Sequence, residues 1–275
     1  MTTSVARLPL ALPPAAPTPA VTLSPSRAAD FKSCPQLYKY RAIDKLPEPA
    51  DPYRARGTVV HDVLERLYRL PPGERRLEVA QALLDEVWAA CRQEEEFAGL
   101  SMSEEVEQGW LGAAKTLLAN AFLVEQPGSI DVHDVEASVA HDGDRTRLRG
   151  IIDRIERTAE GDWVLSDYKT GRSPSDTFAV GAFFGLRFYA LVCWRAFGKL
   201  PRELRLIQLG VPEVLTLRPT VQMLEGLERQ IDAIGAAIVR ARATGDWRPH
   251  PSALCGRCPH KAICPAWPAG DARSA

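Results

Sequence analysis

The chain has 275 residues, 45% of them hydrophobic and 25% charged, with 34 basic against 35 acidic side chains and a net charge of −1. That composition suits a globular domain able to bury a full core without external staples, and it excludes a protein that coats nucleic acid by bulk charge. No apolar run approaches the roughly 18 residues of a membrane span.

The stretch from Val5 to Val21 is apolar but broken by Pro9, Pro13, Pro14, Pro17 and Pro19, with Arg7 alone as a basic start. Residues 1–21 therefore read as a disordered tail rather than a signal peptide. The chain then stays in the cytoplasm, where disulfides are rare, and its six cysteines are free thiols or metal ligands. Ser24-Pro25-Ser26 starts a short helix that reaches Cys34-Pro35. A second stretch runs to Ile43, and Pro47, Pro49 and Pro52 mark a loop. A strong helix follows over Arg54–Leu70. Val60, Leu64 and Leu67 form its apolar stripe, and His61, Glu65 and Tyr68 share a neighbouring face.

Two more helices are expected over 74–97 and 103–124. The middle then turns to β. Val132–Ala140 alternates, with Glu136, Ser138 and Ala140 on one side. Leu148–Glu156 is the next strand, and a turn around Gly161 leads into Trp163–Lys169. Residues 170–174 form a loop, followed by a helix over 178–197, strands over 204–209 and 214–217, and a long helix over 220–243. The pattern gives one α/β domain over 22–268 with a mixed sheet, then a flexible tail over 269–275. Arg145, Arg147, Arg149 and Arg154 read either as solvated strand edges or as a DNA groove.

The sharpest feature is Asp153 with Asp167-Tyr168-Lys169. Residues two apart on a strand point the same way, so Asp167 and Lys169 share a face. A hairpin centred on Glu160 would set Asp153 opposite Asp167, with Cβ atoms about 4.5–5.5 Å apart. Two carboxylates that close repel each other unless a cation bridges them, and a hard ion such as Mg²⁺ or Mn²⁺ suits oxygen ligands. A lysine beside such a site can offset charge on a phosphate undergoing cleavage. The other reading is a solvated cross-strand network, but both aspartates sit in apolar runs, where unpaired charge is costly.

In the tail, Cys255, Cys258 and Cys264 place three thiols within ten residues. Thiolates suit zinc or an iron–sulfur cluster, either of which needs a fourth ligand; the spacing alone leans to zinc, and His260 lies within the triplet. Cys91 and Cys193 fall in helical apolar patterns and read as packing residues.

Five segments, taken in order, resemble the RecB-like PD-(D/E)XK nucleases: LSPSRAADFKSCP, GTVVHDVLERLY, GIIDRIE with VLSDYKTG, RFYALVCW and CGRCPHKAICP. The resemblance implies a restriction-endonuclease-like core with a helical N-terminal insertion and termini tied by a [4Fe–4S] cluster on Cys34, Cys255, Cys258 and Cys264. It implies that His61, Asp153, Asp167 and the Tyr168 carbonyl hold Mg²⁺ or Mn²⁺, with Lys169 catalytic. Glu136 stands where many relatives carry a glutamate, and Tyr189, with Arg187 on the same helix as a further DNA contact, falls near the active site or the DNA. Relatives usually have a glutamine four residues before that tyrosine; here the position is Gly185. The implied function is a DNA nuclease acting on single strands or duplex ends in repair or recombination, alone or with a separate helicase. The alternatives are a CRISPR-associated nuclease of spacer acquisition, a catalytically silent DNA-binding module and a zinc-stabilised structural protein. Phe183, Phe184 and Phe188 read as helix core rather than as base-stacking platforms.

Overall fold

The computed structural model describes residues 20–94, 97, 99–171 and 179–267. Residues 1–19 of the tail expected over 1–21, the tail expected over 269–275, the end of the helix expected over 74–97, the loop beyond Gly171 and the start of the helix expected at 178 lie outside these residues. Among the described residues no helix is long and apolar enough to cross a membrane.

The architecture is a mixed six-stranded sheet with helices on both faces. Strand β1 (Val21–Leu23) pairs in parallel with the start of β3 (Thr146–Arg157). Proline-rich neighbours hide this strand from periodicity reasoning, which ended a disordered tail at Val21. On its other edge β3 pairs antiparallel with β2 (Val132–Asp142), and its second half pairs antiparallel with β4 (Trp163–Lys169). Parallel β5 (Glu203–Gln208) and antiparallel β6 (Glu213–Leu217) complete the sheet. The β3–β4 register pairs Arg154 with Ser166 and Ile155 with Leu165. It is centred on Glu160, and its continuation sets Asp153 opposite Asp167.

Helices α1 (Pro25–Ser33), α6 (Phe184–Phe197) and α7 (Val221–Thr244) cover one face. Their core holds Leu186, Phe188, Leu191, Leu224 and Ile238 against Ile152, Leu165, Leu204 and Leu206. Phe183 and Phe188 are buried there. Helices α3 (Pro52–Arg69), α4 (Leu77–Cys91) and α5 (Glu104–Val124) cover the other face, with Val60, Leu64, Leu67, Leu84 and Leu118 packed toward Tyr168 and Ile207. Cys91 and Cys193 are buried packing residues, as expected. Between α1 and α3 the short helix α2 (Pro35–Tyr38) continues into a π-helical turn over Lys39–Ile43.

Local chemistry sets the ends. Asp51 caps α3 by accepting from the N–H groups of Tyr53 (2.7 Å) and Arg54 (3.3 Å), with Pro52 at the first position, so α3 starts two residues before the hydrophobic stripe suggests. Helix α4 is shorter than the expected span because Pro72–Glu74 forms a separate 3₁₀ turn. Gly198 (φ 66°) and Gly245 (φ 72°) take the left-handed conformation that terminates α6 and α7.

Candidate active site

The site forms where β2 and β3 change face. Ile152 belongs to the core under α6, while Arg154, two residues on, lies on the opposite side against Tyr68 and Tyr168. Val135 and Ala137 divide between the two cores in the same way. Simple alternation would keep each pair together. The switch occurs at Glu136, whose φ of +47° is left-handed, and at its partner by register, Asp153. A non-glycine residue held in that region stores strain, which accumulates at functional sites. Here the distortion brings Glu136 toward Asp153 and His61.

Ligand atoms of His61, Glu136 and Asp153 lie within 4.8 Å of one another, the only such set of three or more among the described His, Cys, Asp and Glu side chains. His61 comes from α3. Its Nδ1 lies 3.4 Å from Asp153 Oδ2, and its Nε2 lies 3.1 Å from the carbonyl oxygen of Tyr168. The Tyr168 N–H donates to Asp153 Oδ2 at 2.7 Å. Three of the residues expected to surround a metal, His61, Asp153 and Tyr168, are therefore in direct contact. Asp167 is outside the 4.8 Å set; it is buried, and its Oδ2 lies 2.5 Å from Lys169 Nζ. Burial and the nearby Asp153 charge push the Glu136 carboxyl up to about 7. Burial and the Asp167 charge raise Asp153 to about 6. Burial acts to lower the Lys169 ammonium, but Asp167 and Asp153 outweigh it, so the lysine is held protonated. Clustered carboxylates that resist ionisation are what a site built for a cation looks like without one.

Behind the sheet a buried network fixes the elements that carry these groups. Arg154, fully buried, pairs with Glu125 and Glu156 and donates to the Tyr168 hydroxyl. The hydroxyls of Tyr168 (2.9 Å) and Tyr68 (3.1 Å) donate to Glu125, and Arg205 reaches Glu156 at 3.0 Å. This overturns both readings of Arg154: it lines neither a solvated edge nor a DNA groove. It likewise separates Tyr68, buried in the network, from His61 and Glu65, which face the cleft.

The cleft has two recesses meeting at Ile151. One, of about 680 Å³, is lined by Tyr53, Arg56, His61, Glu136 and Asp153. The other, of about 790 Å³, is lined by Arg149, Asp167, Lys169, Gly185 and Tyr189. Tyr189 packs on Gly150 so closely that a Cβ there would fall 2.3 Å from Tyr189 Cε1. Phe184 also lines this recess, unlike its core neighbours. Arg187, expected with Tyr189, is not among the described residues lining either recess. Tyr53 and Arg56 escaped sequence reasoning; the aromatic and basic run immediately before the GTVVH segment was the available signal.

Cys34, Cys255, Cys258 and Cys264 line one cavity of about 240 Å³ between α2 and the tail. The His250 N–H donates to Cys34 Sγ and the Ser252 N–H to Cys255 Sγ, both at 3.3 Å. His260 is buried, with Nε2 3.1 Å from Glu48 Oε1, and is not among the described residues lining that cavity. Glu48 also accepts from Arg41 and Arg54, which joins the tail to the start of α3.

No curated protein matches the sequence significantly. Among solved structures, a candidate exonuclease from Eubacterium rectale superposes with a TM-score of 0.60 at 12% identity, covering 88% of this chain and 89% of that one, a likeness of fold. The protein SSO0001 superposes with a TM-score of 0.43 at 14% identity, covering 89% and 86%, too low to carry an argument. The family model described as the PD-(D/E)XK nuclease superfamily matches residues 22–265, nearly everything that the fold and the site draw upon. The chain belongs to the PD-(D/E)XK nuclease superfamily and is a phosphodiester hydrolase by that membership.

Proposed function

We propose that this protein is a Mg²⁺- or Mn²⁺-dependent DNA nuclease of the RecB-like type. The observation that carries the reading is the convergence of His61, Glu136 and Asp153 within 4.8 Å, beside the Asp167–Lys169 pair. One imidazole nitrogen and several carboxylate oxygens form a donor set suited to a hard divalent ion, with the Tyr168 carbonyl adjacent. When bound, such an ion lowers the pKa of a coordinated water and neutralises phosphate charge.

The chain's own residues supply the rest. Lys169, paired with Asp167 at 2.5 Å, acts as a donor toward the scissile phosphate or the attacking water. Asp167 holds that ammonium in place. Tyr189 borders the second recess, where the nucleic-acid backbone leaves the site. Work on DNA ends or single strands in repair or recombination, in the cytoplasm and with or without a separate helicase, belongs to the same proposal.

The same proposal places a [4Fe–4S] cluster on the four cysteines, as the resemblance implies, with zinc the alternative occupant; all four line one cavity and two accept backbone N–H groups. Gly185 favours a second reading, a DNA-binding module without catalysis, because it brings no polar side chain to its recess.

The test is digestion of end-labelled single- and double-stranded DNA by anaerobically purified protein with Mn²⁺ or Mg²⁺, beside Asp167→Ala and Lys169→Ala. Metal-dependent cutting lost in both variants is expected. Cluster-loaded protein that binds DNA and never cuts it would establish the silent module instead.

A further inference from the structure

The recess beside the carboxylates carries three features that holding a metal ion leaves unused. Tyr53 is 74% exposed at the second position of α3, at the mouth of this recess. Arg56 lies against its ring, 5.3 Å from the centroid, and the Arg56 Nε is buried without a hydrogen-bond partner. Ile151 is 51% exposed on the ridge where the two recesses meet, two residues before Asp153.

Each feature is unfavourable in the protein alone. An exposed ring and an exposed β-branched side chain leave apolar surface in water, and a buried guanidinium N–H without an acceptor loses its hydration. Other exposed apolar side chains, such as Leu123 and Val106 on α5, line neither recess. Around Tyr53 the unsatisfied groups are adjacent and chemically complementary. Arg56 lines the recess, and a guanidinium there attracts a phosphate oxygen. A tyrosine face with a cation beside it takes the π-face of a base. An isoleucine at the crossing point contacts sugar or base and offers no hydrogen bond. A base inside a duplex has both faces covered by its neighbours, so the tyrosine can use an unpaired base or the open face at a strand end but not an internal paired one.

We propose that Tyr53, Arg56 and Ile151 form a nucleotide subsite holding one unpaired base and its adjoining phosphate beside the cluster of His61, Glu136 and Asp153. The cleft thereby favours single strands and opened ends over the interior of a duplex, and a strand that enters from the α3 side is splayed over Ile151 toward Lys169. This rests on the reading of the chain as a nuclease, and its test is read by binding so that the two stand or fall separately.

The experiment is fluorescence-anisotropy binding of the full, cluster-loaded chain to short labelled oligonucleotides with Ca²⁺ present. Each oligonucleotide carries a single abasic position, walked along the strand, in DNA and RNA versions. One position is expected at which loss of the base weakens binding on the order of tenfold. Tyr53→Ala should weaken binding of the intact strand by a similar factor and abolish that positional effect, while Tyr53→Phe keeps it. Arg56→Gln should weaken every oligonucleotide alike and lower the salt slope by about one. Leu123→Ala, on α5, is the control for loss of an exposed apolar side chain. Circular dichroism confirms that the variants are folded. The same Tyr53 dependence with RNA supports a subsite for any unpaired nucleotide, and dependence with DNA alone supports it for deoxynucleotides. A wild-type protein indifferent to abasic positions, or a Tyr53→Ala variant that keeps the positional effect, overturns the subsite, even if the protein cuts DNA. Tyr53-dependent binding without any cutting overturns the nuclease reading and leaves the subsite intact.

Discussion

At the scale of single residues, the site is set by groups held away from their preferred states. Glu136 is raised to about 7 from an ordinary 4.5, first by burial and then by the Asp153 charge. Asp153 is raised to about 6 from 3.8, by burial and by Asp167. A carboxyl whose folded pKa lies above its unfolded one contributes stability that is full below the unfolded value and is lost as pH rises through the folded value. The metal-free protein should therefore lose thermal stability as pH climbs from about 4, the ordinary carboxylate range, to the Glu136 value of about 7. Glu136→Gln should flatten that loss, as scanning calorimetry across pH would show; an unchanged profile in the variant would remove Glu136 as its source. The same protons must leave when a cation binds. Mn²⁺ titrated calorimetrically at pH 6 should release protons, and at pH 8 almost none, measured by comparing buffers of different ionisation enthalpy. Gly150 gives a steric counterpart. Its missing Cβ makes room for Tyr189, and Gly150→Ala should cost about 1–3 kcal/mol by urea denaturation as the ring is displaced. Gly185 is the contrasting case: a Cβ there meets only Pro25 Cβ at 3.9 Å, so Gly185→Gln should fold normally and return an amide to the second recess.

At the scale of elements, the polar network behind the sheet explains how three separate segments present their groups at fixed distances. Arg154 adjoins Asp153 on β3, Tyr168 adjoins Asp167 and Lys169 on β4, and Tyr68 lies two helical turns beyond His61 on α3. All three side chains meet at Glu125. Arg154→Met should cost about 3–5 kcal/mol, because it strands two buried carboxylates. Tyr68→Phe, which removes a single hydroxyl, should cost about 1 kcal/mol. Chemical denaturation separates the two, and equal losses would argue against a charge-centred network. Much of this architecture was readable from the sequence: the helix bearing His61, the hairpin register centred on Glu160, and Asp167 and Lys169 on one face. These depend on periodicity, which is local. The network was not readable, because Glu125 lies just beyond α5, far from Arg154 in the chain, and the charge of an arginine by itself points to the surface. The change of face at Glu136 was equally hidden, since strict alternation assigns Glu136, Ser138 and Ala140 to one side and carries no sign of a left-handed residue. Strand β1 was missed because three residues are too few to show a period.

At the scale of the whole molecule, the two cores are separated by the sheet, and segments 34–48 and 250–264 are brought together beside them. The Tyr40 hydroxyl donates to the Ile263 carbonyl at 3.0 Å, and His260 is tied to Glu48, which also holds Arg41 and Arg54. Cys34 faces the tail thiols across one cavity. These polar links are few, and the tail from Ala253 to Ile263 contributes only short 3₁₀ turns with no buried apolar residue. Hydrophobic packing therefore does little to keep it docked, so a cluster on the four cysteines would be its principal restraint. Cross-linking Cys34 to Cys255 closes a loop of more than 200 residues, for which chain-entropy reasoning gives about 5 kcal/mol. Cys264→Ala should therefore lose cluster absorbance and lower stability by up to that amount. The first consequence should be local, because Glu48 couples the tail to the N-terminus of α3. Hydrogen exchange should rise at Lys39–Ile43 and over the first turn of α3 before it rises in the sheet. If exchange instead rises uniformly across both cores, the tail is an integral part of the fold rather than a clamp upon it. If neither exchange nor melting temperature changes, the cysteines carry no structural load, and their cavity must be explained by another ligand.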